Sequence, residues 1–441
     1  MKKSHAILAA FLPLLVSVTV LHGADLPLGH KDFVPTPGRP VGWRGDGTGQ
    51  YLGATPPTEW SETPSTGSGL GKNIVWKTRL PSWSNASPIV VGKLVFATSE
   101  KNLLLCLDAA TGAERWRQEV DPGVALKAQH HPGHGHFTST PTSDGKRVYV
   151  QLGCGVCAAY DLGGKRQWSV PASEPLMPEG LQVSSPLLVD GVVVVSTFSG
   201  VSGLDAATGA QKWTVPLIKG GSGRLASPIV ATIDPTRCVL SPYGDALSPA
   251  DGAIRGTKLT SVNHGTPVVA DGVVFGFAGA MKTMNGAVRL NGAAGAITAE
   301  KLWSVPWTEP TPRTRDLCAS PVLYEGLVIV FDFPGTLLAY DAKTGAVKGR
   351  KVVCPEAPPW KGHGSQMAYA SPCVAGGRLY VTHGMGTTVV YQGEDLKEVA
   401  RNALHEPGRA SLAFAADRIY CRGATSLYCM GAPGLPLEKG K

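Results

Sequence analysis

The stretch Ala86-Ser87-Pro88-Ile89-Val90-Val91-Gly92-Lys93-Leu94-Val95-Phe96-Ala97 places a small residue, a hydroxyl and a proline ahead of two apolar runs split by a glycine turn. β-Branched and large apolar residues either side of such a turn predict a buried hairpin. The signature returns as Ser139-Thr140-Pro141-Thr142, Ser184-Ser185-Pro186-Leu187-Leu188, Ala226-Ser227-Pro228-Ile229-Val230, Gly265-Thr266-Pro267-Val268-Val269, Ala319-Ser320-Pro321-Val322-Leu323 and Ala370-Ser371-Pro372-Cys373-Val374. An eighth copy, Ala410-Ser411-Leu412-Ala413-Phe414, lacks the proline. Six steps cover the 284 residues from Pro88 to Pro372, a mean of about 47, close to one four-stranded propeller blade. Eight copies predict eight blades.

A second motif closes several repeats: Leu107-Asp108-Ala109-Ala110-Thr111-Gly112 before Trp116, Leu204-Asp205-Ala206-Ala207-Thr208-Gly209 before Trp213, and Tyr340-Asp341-Ala342-Lys343-Thr344-Gly345. Tyr160-Asp161 with Gly163, Gly164 and Trp168 is a shorter form, and Asp251-Gly252 a degenerate one in the fourth repeat. The Asp bonds the turn backbone, the Gly takes the left-handed position, and the Trp opens an outer strand that packs between blades. At the ends, Asn73 to Thr78 reads as an outer strand with no hairpin of its own, while the last repeat, with Ile419-Tyr420-Cys421 and Leu427-Tyr428-Cys429, lacks one. Pairing them closes the ring and removes two sheet edges.

Of the 441 residues, 43% are hydrophobic and only 17% charged, enough apolar material for a large core, and 55 Gly with 35 Pro suit many tight turns. Residues 1–24 read as a secretory signal: Lys2 and Lys3, an apolar run from Ile7 to Leu21, then Gly23 and Ala24. That run falls short of the roughly 20 residues needed to span a bilayer, so an exported protein without a transmembrane segment is expected, periplasmic or extracellular. The remaining boundaries are an extended N-terminal segment over 25–72, the propeller over 73–431 and a tail over 432–441. The net charge of +8 comes from scattered Lys and Arg, a solvated surface and not a nucleic-acid patch.

The two motifs together resemble the pyrroloquinoline-quinone-like (PQQ-like) repeat family over about Trp43 to Met430. That family contains quinoprotein alcohol dehydrogenases, the lipoprotein propeller of the outer-membrane β-barrel assembly machinery, and many exported propellers of unassigned role. The resemblance implies an all-β, eight-bladed propeller of four-stranded antiparallel blades. Trp43-Arg44-Gly45-Asp46-Gly47-Thr48-Gly49, Ala54 to Trp60, Gly386 to Val390 and Lys397 to Asn402 are similar to the exported bacterial propellers. The dehydrogenase branch carries an adjacent Cys-Cys pair and often a haem-bearing Cys-x-x-Cys-His. Here Cys154-Gly155-Val156-Cys157 is followed by Ala158 and no adjacent pair exists. No cofactor is therefore expected, and the chain reads as a non-enzymatic binding or scaffold module. The alternative is a quinone- or metal-dependent oxidoreductase holding PQQ or a metal ion.

Residues just upstream of each Ser/Thr-Pro lie in the connection from one blade to the next, and such connections gather round one mouth of the central channel. Asn85, His136, Gln182, Arg224, His264, Arg315, Tyr369 and Arg409 occupy these places. They form the expected binding ring for an anionic small ligand or a protein partner, with the Arg residues as charge partners. His130, His134 and His136 are the candidate metal ligands, imidazoles spaced within a Gly-containing loop. Cys421 and Cys429, facing each other across a hairpin centred near Thr425, are the candidate disulfide.

Overall fold

The computed structural model describes residues 26–63, 70–127, 135–172, 176, 178, 184–197, 199–216, 225–233, 236–262, 264–279, 284–293, 295–307, 317–356 and 368–432. The expected signal segment lies outside them. Every regular element described is a β-strand, and the strands form eight sheets. Blades 1 to 7 run Ile89–Glu119, Thr142–Pro171, Leu187–Pro216, Ile229–Gly256, Val268–Ser304, Val322–Val352 and Cys373–Ala403. Blade 8 combines Ala413–Met430 with the strand Ile74–Arg79. The all-β, eight-bladed architecture expected from the repeats is the one observed. No helix among the described residues is long and apolar enough to cross a membrane.

The first strand of each blade starts at the residue after the motif proline, or after Leu412 in blade 8. Proline has no N–H to give a ladder, so it marks where pairing begins. The hydroxyl residue before it does more. Ser87, Thr140, Ser185, Ser227, Thr266, Ser320 and Ser371 each donate their backbone N–H to the side-chain oxygen of the equivalent residue in the next blade, the last to Ser411, at 2.8–3.0 Å. All eight residues are buried. These seven bonds run unbroken from blade 1 to blade 8.

Farther from the axis the Trp and Asp–Gly motifs meet across blade boundaries. Trp76, Trp116, Trp168, Trp213 and Trp303 each donate Nε1–H to a carbonyl in the next blade's closing turn: Ala109, Leu162, Ala206, Pro249 and Ala342, at 2.9–3.1 Å. The rings lie over the turn glycines, so close that a Cβ on Gly252 (φ +70°) would come within 2.7 Å of Trp213. The degenerate turn in blade 4 thus works like the others. Ser248 accepts the Gly252 N–H that Asp108 and Asp205 accept from Gly112 and Gly209 in blades 1 and 3.

Ring closure follows the expected pairing, with Ile74 opposite Met430 and Trp76 opposite Cys429. A polar clasp secures it. Lys77 bridges Glu62 at 2.8 Å and Glu406 at 3.2 Å, and Glu406 also accepts from Ser426 Oγ and Thr425 N–H. Burial alone would raise the Glu406 carboxyl, but these bonds outweigh it and hold it at about 2.

The pairing register corrects one expectation. Cys421 lies opposite Tyr428 and Cys429 opposite Tyr420, so the two thiols point to opposite faces of the sheet and both are free. One packs with Ile419 and Tyr428, the other with Tyr420 and Leu427.

The N-terminal segment enters the channel. Gln50–Tyr51 adds as a parallel strand to the inner edge of blade 7, Val41 exchanges backbone bonds with Ser143 of blade 2, and Gln50 Nε2 donates to Leu323 O of blade 6. Blades 2 and 6 face each other across an eight-membered ring, so the segment spans the axis. Arg44 is buried within it, donating from Nη2 to Pro372 O at 3.0 Å.

Three outcomes are expected. Ser227→Ala strands the buried Ser185 N–H and lowers stability by about 1–3 kcal/mol. Ser227→Thr keeps the acceptor, as Thr140 and Thr266 do, and recovers most of it; denaturant titration reads both. Trp213→Ala, which empties a blade interface and frees the Pro249 carbonyl, costs about 3–5 kcal/mol in the same assay. Because the folded-state value for Glu406 is depressed, its contribution is complete above pH 4.5 and is lost as pH falls toward 2. Glu406→Gln therefore destabilises at pH 7 by on the order of 2 kcal/mol, and its deficit shrinks steadily in titrations carried down to pH 3.

Candidate functional site

The strand order sets the described parts of the blade connections on one side of the ring, the side that also carries the turns between the second and third strands. Of the eight residues expected there, Gln182, Arg224 and Arg315 lie outside the described residues, as do His130 and His134. Asn85, His264, Tyr369 and Arg409 are half-buried and His136 is buried.

Two members of the expected ring meet. The Arg409 guanidinium sits 4.8 Å from the centre of the Tyr369 ring, a cation–π contact joining the connections that enter blades 7 and 8. Phe333, from a blade 6 turn, packs edge-on with Tyr369 at 5.2 Å. Burial pushes the Tyr369 phenol up to about 12, so it stays a neutral donor. This aromatic–cationic corner, with the half-buried free thiol of Cys318 close to Tyr369, can bind an anionic or apolar surface.

His136 takes a different role from the one expected. It is 2% exposed, its Nε2 meets the Lys127 carbonyl at 2.9 Å, and burial depresses its pKa, which keeps the imidazole neutral. Its backbone N–H and that of Phe137 donate to the two oxygens of Glu100, at 2.9 and 2.7 Å. The residue thus pins the blade 1–2 connection in place. Among the described residues no three His, Cys, Asp or Glu side chains converge in a way that could hold a metal.

The sequence reading missed the cation beside this connection. Arg422, buried at the end of a blade 8 strand, donates to the carbonyls of Ser82, Ser84 and Thr98 at 2.6–3.1 Å, tying blade 8 to blade 1. Burial lowers its pKa to about 9, against the stabilising fields of Glu100 and Glu406. A lone Arg among Tyr-Cys-Arg-Gly at a strand end carries no motif. Only its pairing across the ring reveals it.

The family model described as outer membrane protein assembly factor BamB matches residues 70–236 and 201–359, most of the propeller. Among curated proteins, the BamB assembly factor of Yersinia pestis is 26% identical over 86% of this chain and 97% of its own length. The BamB of Moranella endobia is 25% identical over 60% of this chain, and the match spans 66% of that relative. In solved structures, BamB from Moraxella catarrhalis superposes with a TM-score of 0.55 at 16% identity, covering 82% of this chain and 98% of that one. Quinohemoprotein alcohol dehydrogenase from Comamonas testosteroni gives 0.56 at 15% identity, covering 83% and 78%. At such identities these two likenesses speak for the fold alone.

The N-terminal segment lays Arg44 and Tyr51, both buried, across the axis, and all nine cysteines are free thiols, eight of them buried. Repeats, closure and family model agree: the chain belongs to the PQQ-like β-propeller family described as outer membrane protein assembly factor BamB.

Proposed function

We propose that the protein is exported and works as a non-enzymatic scaffold, holding a protein partner at the channel mouth that carries Tyr369 and Arg409. The observation that supports this reading most is the N-terminal segment laid across the axis. Bonded to blades 2, 6 and 7, it takes up channel space that a reaction chamber would need and leaves the surroundings of Tyr369 and Arg409 as a rim for a partner. The paired Tyr369 and Arg409 give that rim the aromatic and guanidinium groups in which binding surfaces are rich. The relatives named as assembly factors of outer-membrane proteins point to an envelope partner. On their sequence positions in the repeat alone, we assign Gln182, Arg224, His264 and Arg315 to the same partner-binding rim.

The double variant Tyr369→Ala/Arg409→Glu should reduce co-purification of envelope assembly proteins by about tenfold or more, the scale of a binding hot spot. Its thermal midpoint should stay within a few degrees of the parent, since both side chains are half-buried. Undiminished co-purification removes this mouth from consideration. A cofactor found stoichiometrically in protein prepared from its native compartment overturns the non-enzymatic reading.

A further inference from the structure

Beside the N-terminal segment lies a cavity of about 210 Å³, walled on one side by Trp43 and on the other by the inner strands of blades 3 and 4. Those strands present an unfinished edge. In each blade the second residue after the motif proline turns its N–H and C=O away from its own hairpin, toward the axis. In blade 7 that residue is Val374, whose N–H donates to Gly49 O at 2.8 Å; in blade 2 it is Ser143, whose N–H donates to Val41 O at 2.7 Å. The equivalents in blades 3 and 4 are Leu188 and Val230, and no backbone bond on that edge is made to either among the described residues. Both line the cavity, and Leu188 is only 2% exposed. Buried backbone groups are nearly always paired, so an open edge of this kind calls for a partner.

We infer that this cavity binds a short extended peptide segment, added as a strand to the inner edge of blade 3 or 4 in the way residues 41–51 of the chain itself add to blades 2 and 7. Leu187, Ile229 and the Trp43 ring receive one large apolar side chain. Arg39 and Arg237 also line it against the single carboxylate of Asp46, and this cationic excess sets the charge preference. One Nη of Arg237 is bonded to Asp190, and the guanidinium fork carries further donors for a carboxylate. The preferred segment is thus apolar with a terminal or adjacent carboxylate. The cavity shares no lining residue with the Tyr369–Arg409 corner, so failure of the peptide test leaves the reading of that mouth standing.

The test uses the exported full-length protein and a fluorescein-labelled peptide, Thr-Val-Phe-Asp with a free C-terminus, followed by polarisation. Saturable binding is expected, weakened about tenfold, the worth of one backbone bond, when the peptide's Phe nitrogen is methylated or when Leu188→Pro removes the edge N–H. Leu188 gives no N–H to its own hairpin, so this proline leaves the ladder intact. Arg237→Gln should weaken the peptide several-fold and an amidated C-terminus should reproduce that loss. In the unaltered protein, bound peptide should slow hydrogen exchange at the Leu188 and Val230 amides, a readout that needs no variant to fold. Absence of saturable binding at millimolar peptide, equal affinity for the methylated peptide, or unchanged exchange at both amides overturns the inference.

Discussion

A backbone N–H that leaves its own blade to find a hydroxyl in the next holds this ring together. Each link is an ordinary hydrogen bond, yet seven of them in series fix the spacing and tilt of eight inner strands at once. A Ser or Thr is needed because the same residue must donate from its backbone and accept on its side chain. Proline follows because the next position must not offer an N–H that nothing there can take. The motif is therefore a statement about two neighbouring blades, and its regular return imposes the angular step from which the channel results.

The outer seams are less uniform. Five junctions use a Trp over a turn glycine, and the other three use something else. Between blades 4 and 5, Leu259, Leu290 and Ile297 form one apolar cluster. Between blades 6 and 7, Arg401 reaches the Val353 carbonyl and Tyr324 bonds both Gly377 and Gly393. Between blades 7 and 8 the N-terminal segment intervenes, with Asn402 accepting the Trp60 N–H and donating to Thr58 O. A ring tolerates this mixture because the inner hydroxyls already determine where these three seams lie.

What could be read in advance follows from the range of each interaction. The blades, their closing turns and the Ile74–Arg79 closure were legible because turn chemistry and strand alternation are local and repeat. The channel-filling role of residues 41–51 was not, since Arg44 and Gln50 act on backbone carbonyls more than 250 positions away. The disulfide expectation failed by a single step of register. Placing the hairpin centre at Thr425 sets Cys421 opposite Cys429, whereas the observed turn sets it opposite Tyr428, and one step moves a side chain to the other face. Of the residues read as a binding ring, Tyr369 and Arg409 meet each other because both sit just ahead of a repeat motif, while His136 is held inward by Glu100, an acid no motif marks.

The closure also fixes an order of events in time. The first strand of the propeller belongs to the last blade, so Ile74–Arg79 stays without its partner until residues 426–430 have been made. A chain made from its N-terminus therefore carries Trp76 exposed until the far end arrives, whereas the channel-crossing segment has its partners once blade 7 is complete. Completion of the fold is thereby deferred to the end of synthesis. Any truncation near Met430 leaves a ring that cannot shut, whatever the quality of its first seven blades.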